Sequence, residues 1–223
     1  MPSQRRADEQ GDTRRPPSSR NAQVGAAGET AVFERHTGVE KAALTAALQQ
    51  LAAEGVKGLT IEAVSASTGI AKTTLYRRWR SKEDLALAVL LEMTRAATFA
   101  PAGEDVRAGL IHYLDAVITI LRDTSHGRVM QGLASDLATD PQMADAFRGE
   151  VIALRHRHLT ELVRHGVSTG RLRSDVDLAL LQELLFGPVY YRLLFSGHPL
   201  EPDLAERVVD SILPALLAAP EPR

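Results

Sequence analysis

The 223-residue chain contains no cysteine, which excludes a disulfide framework, a thiolate zinc site and a cysteine nucleophile. Aromatic residues make up only 4%. With Leu and Ala dominating the apolar set, that scarcity favours helices, because β-branched and aromatic residues are the strand formers. No apolar run approaches the roughly 18 residues that a membrane-crossing helix needs. The opening MPSQRRADEQGDTRRPPSSR has arginines but no apolar core behind them, so it does not read as a secretory signal. What is present is ordinary: 44% hydrophobic and 24% charged residues, enough at this length for one or two domains with a real core. A soluble cytoplasmic protein with no membrane contact is expected.

The net charge of −2 hides an asymmetry. Residues 1–35 carry six Arg against five acids, residues 36–82 seven Lys/Arg against three Glu, and residues 83–223 thirteen Arg against twenty acids. The chain therefore divides into a tail, a small basic module and a larger acidic body. The sharpest concentration is Lys72 to Lys82, with five cations and no acid.

Residues 1–35 are rich in Arg, Ser, Gly, Pro and Gln, with almost nothing large and apolar before Phe33. Such a segment cannot bury enough surface to offset its ordering entropy and is expected to be disordered. Helical periodicity begins at Val39, with Leu44, Leu48 and Leu51 on one face and Gly55 as a stop. Thr60 is an N-cap for a short helix that Gly69 ends, and a second short helix runs from about Ala71 to Trp79. Ser81 caps a longer, very apolar helix with Glu83 and Asp84 in its first turn. After a break at Pro101–Gly103, helices are expected at Glu104–Arg122, at Ser125–Ala138 and from Asp140-Pro141 to about Ser168. Two more follow. One opens at Asp175 and is kinked near Leu184–Phe186 by Pro188; the other spans about Pro202–Leu217, with Leu204, Val208, Ile212 and Leu216 on one face. No segment shows period-two alternation. The fold class is all-α, with about nine helices and no internal repeat.

The stretch Leu59–Leu85 is the informative one. Two short helices joined by a glycine turn have the layout of a helix-turn-helix, whose second helix lies in the DNA major groove. Ile61, Val64, Ile70 and Leu75 pack between the helices, and Gly69 supplies the left-handed turn. Lys72, Thr73, Thr74, Tyr76, Arg77 and Arg78 are left on the exposed side. Short hydroxyls and cations suit base edges, while Tyr and Lys suit phosphate oxygens. The Ser81 helix start, beside Lys82, offers backbone N–H groups to a further phosphate.

Thr60-Ile61, Gly69-Ile70, Thr74-Leu75-Tyr76, Trp79 and Ser81-Lys82-Glu83 together resemble the N-terminal DNA-binding domain of TetR-family transcriptional regulators. The likeness covers about residues 39–90. Three positions depart from the family pattern: Trp79 for the usual Phe, Ala71 for the usual Ser, and Thr73 where Gly or Pro often stands. The resemblance implies phosphate contacts for Thr60, Tyr76 and Lys82, and base reading for Lys72, Thr73, Thr74 and Arg77. It divides the chain into a tail (1–35), a three-helix helix-turn-helix domain (36–82) and a larger helical regulatory and dimerisation domain (83–223). It further implies a homodimer on a palindromic operator, paired through 175–196 and 202–217. A small-molecule effector would sit among the middle helices, with Met93, His112, Tyr113, Met130, Phe147, Phe186 and Tyr190 as pocket candidates. Repression is the family's usual outcome. The alternative function is a constitutive DNA-binding regulator or architectural factor without an effector.

Other chemistries fit poorly. His158 and His165 stand two turns apart and His156 points elsewhere, amid Arg155, Arg157 and Arg164, so no metal is expected. Asp136, Asp140 and Asp145 read as caps and solvated surface. The arginine pairs Arg5-Arg6 and Arg14-Arg15 are candidates for a minor groove, though a plain extension also explains them. No G-x-S-x-G, H-E-x-x-H or phosphate-loop pattern occurs. Neither an enzyme nor a cofactor is called for.

Overall fold

The computed structural model describes residues 32–36, 38–96 and 105–218. Among them nine helices follow one another and no strand forms, apart from an isolated bridge between Leu172 and Leu217. They are α1 (Gly38–Gly58), α2 (Ile61–Thr68), α3 (Lys72–Arg78), α4 (Lys82–Ala96), α5 (Val106–Asp123) and α6 (His126–Thr139). α7 is continuous through Pro141–Ala146, a π-helical stretch Phe147–Ile152, and Ala153–Ser168. α8 (Leu178–Tyr191) runs into a π turn (Arg192–Ser196), and α9 (Leu204–Ile212) into a 3₁₀ turn (Leu213–Ala215).

Side-chain caps fix most of the starts. Thr60 accepts the Ala63 N–H at 3.1 Å, Asp105 the Arg107 N–H at 2.9 Å, Asp140 the Met143 N–H at 3.1 Å and Asp177 the Ala179 N–H at 3.0 Å. Each fills a donor that a helix start otherwise leaves empty. Gly55 interrupts α1 with φ 69° and ψ −171°, a conformation that costs a glycine little. α1 packs on α4 and α6, joining the helix-turn-helix to the acidic body.

Most of that joint is apolar, through Leu44, Ala47, Leu48 and Leu51, but its C-terminal corner is polar. Asp136 on α6 is buried, and its carboxylate accepts the Val56 N–H at 3.0 Å. Expected as cap or solvated surface, Asp136 instead satisfies a backbone donor freed by the bend at Gly55. The Val56 carbonyl, with that of Lys57, accepts from the Lys82 ammonium at 3.2 Å.

Several sequence expectations need correcting. Val32 and Phe33 are buried, so ordered structure begins inside the segment read as a disordered tail; residues 1–31 lie outside the described ones. Arg35 and His36 reach the buried Glu92 of α4, which Arg95 also contacts at 2.9 Å. Burial alone would raise the Glu92 carboxyl, but hydrogen bonds from Arg35, His36 and Arg95, with the Arg35 charge, hold it below its ordinary value. α8 starts at Leu178 rather than Asp175, because Asp177 is the capping residue. Pro188 lies inside the helix, which remains α-helical through it to Tyr191, and the π turn follows at Arg192. α9 stops at Ile212, with Pro214 in the 3₁₀ turn that replaces the expected helix to Leu217. The Pro101–Gly103 break falls outside the described residues.

The helix Leu178–Ser196 is, by length and composition, long and apolar enough to cross a membrane, with mean hydropathy 1.2 over its best window. Scanning for uninterrupted apolar runs missed it because Gln182, Glu183 and Arg192 are interspersed. Much of it faces outward: Leu180, Leu184, Tyr191 (61%) and Phe195 (78%) are exposed.

Candidate nucleic-acid interface and regulatory cavity

The helix-turn-helix is held by its own short-range bonds. Gly69 is left-handed (φ 71°) and donates its N–H to the Ser65 carbonyl at 2.9 Å. The Ser65 hydroxyl donates to the Ile70 carbonyl at 2.7 Å, and the Thr68 hydroxyl to that of Val64 at 2.6 Å. These small polar residues stitch the turn shut and fix the crossing of α2 and α3. Ile61, Val64, Leu75 and Trp79 are buried beneath it, with Ile70 packed at the edge. Trp79 is thereby a core residue.

The opposite side of α3 faces solvent. Lys72, Thr73 and Arg77 are exposed, Thr74 half-buried, and Tyr76 keeps 44% of its surface. Lys72 pairs with Glu62 at 3.1 Å, Arg78 with Glu40, and Arg80 with Asp84 at 3.5 Å. The Lys72 hydrogen bond holds the Glu62 carboxyl below its usual range. The Lys72 and Arg80 pairs lie in solvent and are weak, so exchanging their acid for a phosphate costs little, whereas Glu40 beneath Arg78 is half-buried. Arg77 makes no ion pair among the described residues.

Thr60, placed by sequence at a phosphate, has its hydroxyl oxygen engaged as the α2 cap while its own proton remains to donate. Lys82, given the same role, spends its ammonium on α1 carbonyls. The Ser81 hydroxyl takes the Asp84 N–H at 3.1 Å, so one of the donors at that helix start is already filled.

Among the described residues of the acidic body, three cavities touch Arg155. The innermost, lined by Met93, Thr94, Val117, Met130, Phe147 and Val151 among others, has about 20 Å³ free, room for little more than a water. A groove of about 450 Å³ opens between α7 and α8 against Ile152, His156, Gln182, Glu183, Phe186 and Tyr190. A third, of about 250 Å³, is walled by Met130, Ala134, Leu137, Phe147, Tyr190 and Leu194. The π-helical stretch supplies Phe147, Val151 and Ile152 to these walls. Such insertions recur at functional sites because they re-aim side chains without ending a helix.

Of the sequence-predicted pocket residues, Met93, Met130, Phe147, Phe186 and Tyr190 do line cavities. Tyr113 lies behind them, edge-on to Phe186 at 5.6 Å, with its hydroxyl donating to the Arg155 carbonyl at 3.2 Å. Burial pushes its phenol far above the usual value. His112 is a correction. It is exposed and borders none of the three cavities, because the buried face of α5 runs through Gly109, Leu110, Tyr113, Leu114 and Val117. Sequence reading missed Arg155. The available signal was phase: Phe147, Val151, Arg155 and Leu159 form one buried stripe with an arginine inside it.

Comparison with known proteins agrees with this layout. "Bacterial regulatory proteins, tetR family" matches residues 43–89, and "Tetracyclin repressor-like, C-terminal domain" matches residues 100–212. The crystal structure of the TetR family transcription regulator SCO0332 superposes with TM-score 0.65 and 34% identity, covering 80% of this chain and 97% of that one. An HTH-type transcriptional regulator of Mycobacterium bovis is 26% identical, over 78% of this chain and 85% of its own. The DNA-binding transcriptional repressor TetR of Mycobacteroides abscessus is 28% identical over 79% and 92%. Placed beside the solvent-facing α3 and the all-helical body, these matches show that the chain belongs to the TetR family of DNA-binding transcriptional regulators.

Proposed function

We propose that the protein is a repressor that binds a palindromic operator as a homodimer and leaves it when a small molecule occupies the cavities around Arg155. Residues 36–82 read the DNA and residues 83–223 bind the effector and pair the subunits. Thr73, Thr74 and Arg77 meet base edges, Lys72 exchanges Glu62 for the DNA, and Thr60 and Tyr76 contact phosphates, with Lys82 bracing the joint behind them. The observation that carries this reading is the cation-bearing outer face of α3, set on a buried seat of Ile61, Val64, Leu75 and Trp79. Repression is supported by the repressor of M. abscessus among its relatives.

Pairing is supported by the apolar stripe Leu180, Leu184, Tyr191 and Phe195 on α8. The apolar side of α9 (Leu204, Ala205, Val208, Val209) is spent against α5 within the chain, and its outward side carries Glu206, Arg207 and Asp210. α8 therefore contributes the larger share of the interface. The protein acts in the cytoplasm, on the nucleoid when bound.

The test is fluorescence anisotropy on the DNA upstream of its own gene at fixed salt, beside a Tyr76→Ala/Arg77→Ala variant, with the mass of the free protein measured by light scattering. Operator-specific binding by a dimer, weakened at least tenfold in the variant, supports the reading. Equal binding to random DNA, or a monomer of unchanged affinity, overturns it. Adding small-molecule extract of the host and reading release tests the effector step by itself.

A further inference from the structure

Arg155 is buried (7% exposed) in a mostly apolar setting. Its guanidinium lies over Phe186 and Tyr190, 5.2 and 5.7 Å from the ring centres. Among the described residues, one of its five N–H groups has a partner: Nη1 donates to the Tyr190 hydroxyl at 2.6 Å. Among them too, Nε is buried with nothing to donate to, and no carboxylate pairs with the side chain. The acid that borders the groove, Glu183, is exposed on α8 and outside ion-pairing distance. Gln182 faces the same groove with its side-chain oxygen buried and unpartnered. A buried cation without its counter-charge is costly, and a fixed guanidinium fork is shaped for two parallel hydrogen bonds to a carboxylate.

We propose that the effector is an apolar carboxylic acid: its carboxylate is gripped by Arg155, and its apolar body lies along Phe186, Ile152, Met130 and Leu137. Of the two spaces that Arg155 borders, the roughly 450 Å³ groove falls within the ordinary range for small-ligand sites of about 300–1,000 Å³, and the roughly 250 Å³ cavity just below it. The aromatic faces hold the guanidinium flat, so the carboxylate meets an oriented fork. Hydrogen-bonding by Gln182 at the groove gives a second polar point for a hydroxyl or amide further along the ligand. This assignment rests on the effector reading above.

The experiment uses the full chain and three probe series: straight-chain acids from hexanoate to dodecanoate, aryl acids such as 3-phenylpropionate, and the primary alcohols of matching length. Binding is read by calorimetry and by thermal shift, and operator release by anisotropy. The acids are expected to bind at least tenfold tighter than the alcohols, with one of the two acid series preferred, which tells an aliphatic source from an aromatic one. Arg155→Met should fold, with equal or higher Tm, and lose the preference for acid over alcohol. Arg155→Lys should keep part of it. Alcohols binding as tightly as acids, an Arg155→Met preference equal to that of wild type, or no acid binding at all would each overturn the carboxylate assignment. Release by the host extract in the same assay would then leave the effector reading standing, with a ligand of another class.

Discussion

Replacing Asp136 by alanine removes the carboxylate that ties the bent end of α1 to α6. The bond is short (3.0 Å), buried and charge-assisted, and its loss leaves the Val56 N–H without an acceptor in a closed space beside Gly55 and Gly132. Hydrogen bonds to charged groups are worth about 1.5–3 kcal/mol, and an orphaned buried donor costs about 1–3 kcal/mol. Desolvation of the carboxylate in the wild type works the other way, so we expect a net loss of about 2 kcal/mol. For a chain of this length that is a drop in Tm of roughly 4–8 °C. Urea unfolding at matched protein concentration gives the free energy, and hydrogen exchange at the Val56 amide gives the location. Asp136→Asn retains an acceptor and should fall between the two. An Asp136→Ala variant within about 0.5 kcal/mol of wild type, with Val56 still protected, would refute the account of this joint.

Two further predictions follow from close packing and from buried charge. A Cβ on Gly166 would stand 2.7 Å from the Leu172 side chain and 2.9 Å from that of Val106, whereas one on Gly149 meets nothing within 4 Å. Gly166→Ala should therefore lose about 1–3 kcal/mol through overpacking, and Gly149→Ala should hold or gain up to about 1 kcal/mol through helix propensity; urea midpoints that rank the pair the other way would contradict the packing. His126 is fully buried, and burial lowers its pKa to about 4. Between that value and about 6.5 the unfolded chain takes up a proton that the folded one refuses, so this contribution is intact above about pH 6.5 and is lost on acidification. The loss levels off below pH 4 at about 3 kcal/mol, and a His126→Asn variant should show a shallower decline between pH 7.5 and 4.5.

The parts of this molecule that sequence made legible are those encoded by neighbours along the chain. Thr60 and Asp140 each bond an N–H three residues on, so a capping residue before an apolar period is a local statement; Asp105 and Asp177 cap in the same way, but Glu104 and Asp175 beside them offer the same signal and blur the start by one to three residues. Gly69 is the same kind of signal: the turn needs a left-handed residue and glycine provides it. Thr74-Leu75-Tyr76 places one residue in the core between two that face outward or sideways, which follows from helix phase alone. What failed to show was whatever depends on pairing across the fold. The period of Leu204, Val208, Ile212 and Leu216 predicts a sixteen-residue helix, but Pro214 lies off that face and ends α9 regardless.

Asp136 and Arg155 show the same limit more sharply, since nothing beside either of them in sequence says whether its charge is met. Asp136 finds its partner eighty residues away. Arg155 finds a hydroxyl thirty-five residues away and, among the described residues, no acid. Both looked like members of ordinary charged clusters, one among Asp140 and Asp145, the other among Arg157 and Arg164. Only their positions in the helical phase set them apart, Asp136 on the side of α6 turned to α1 and Arg155 within a buried stripe of α7. α6 also carries Met130, Ala134 and Leu137 to a cavity that Arg155 borders. One helix thus touches the cavity and, through Asp136, the helix on which the helix-turn-helix is seated. In the proposed mechanism an effector would act through α6 on that seat, by no more than the difference in its affinity for the two positions.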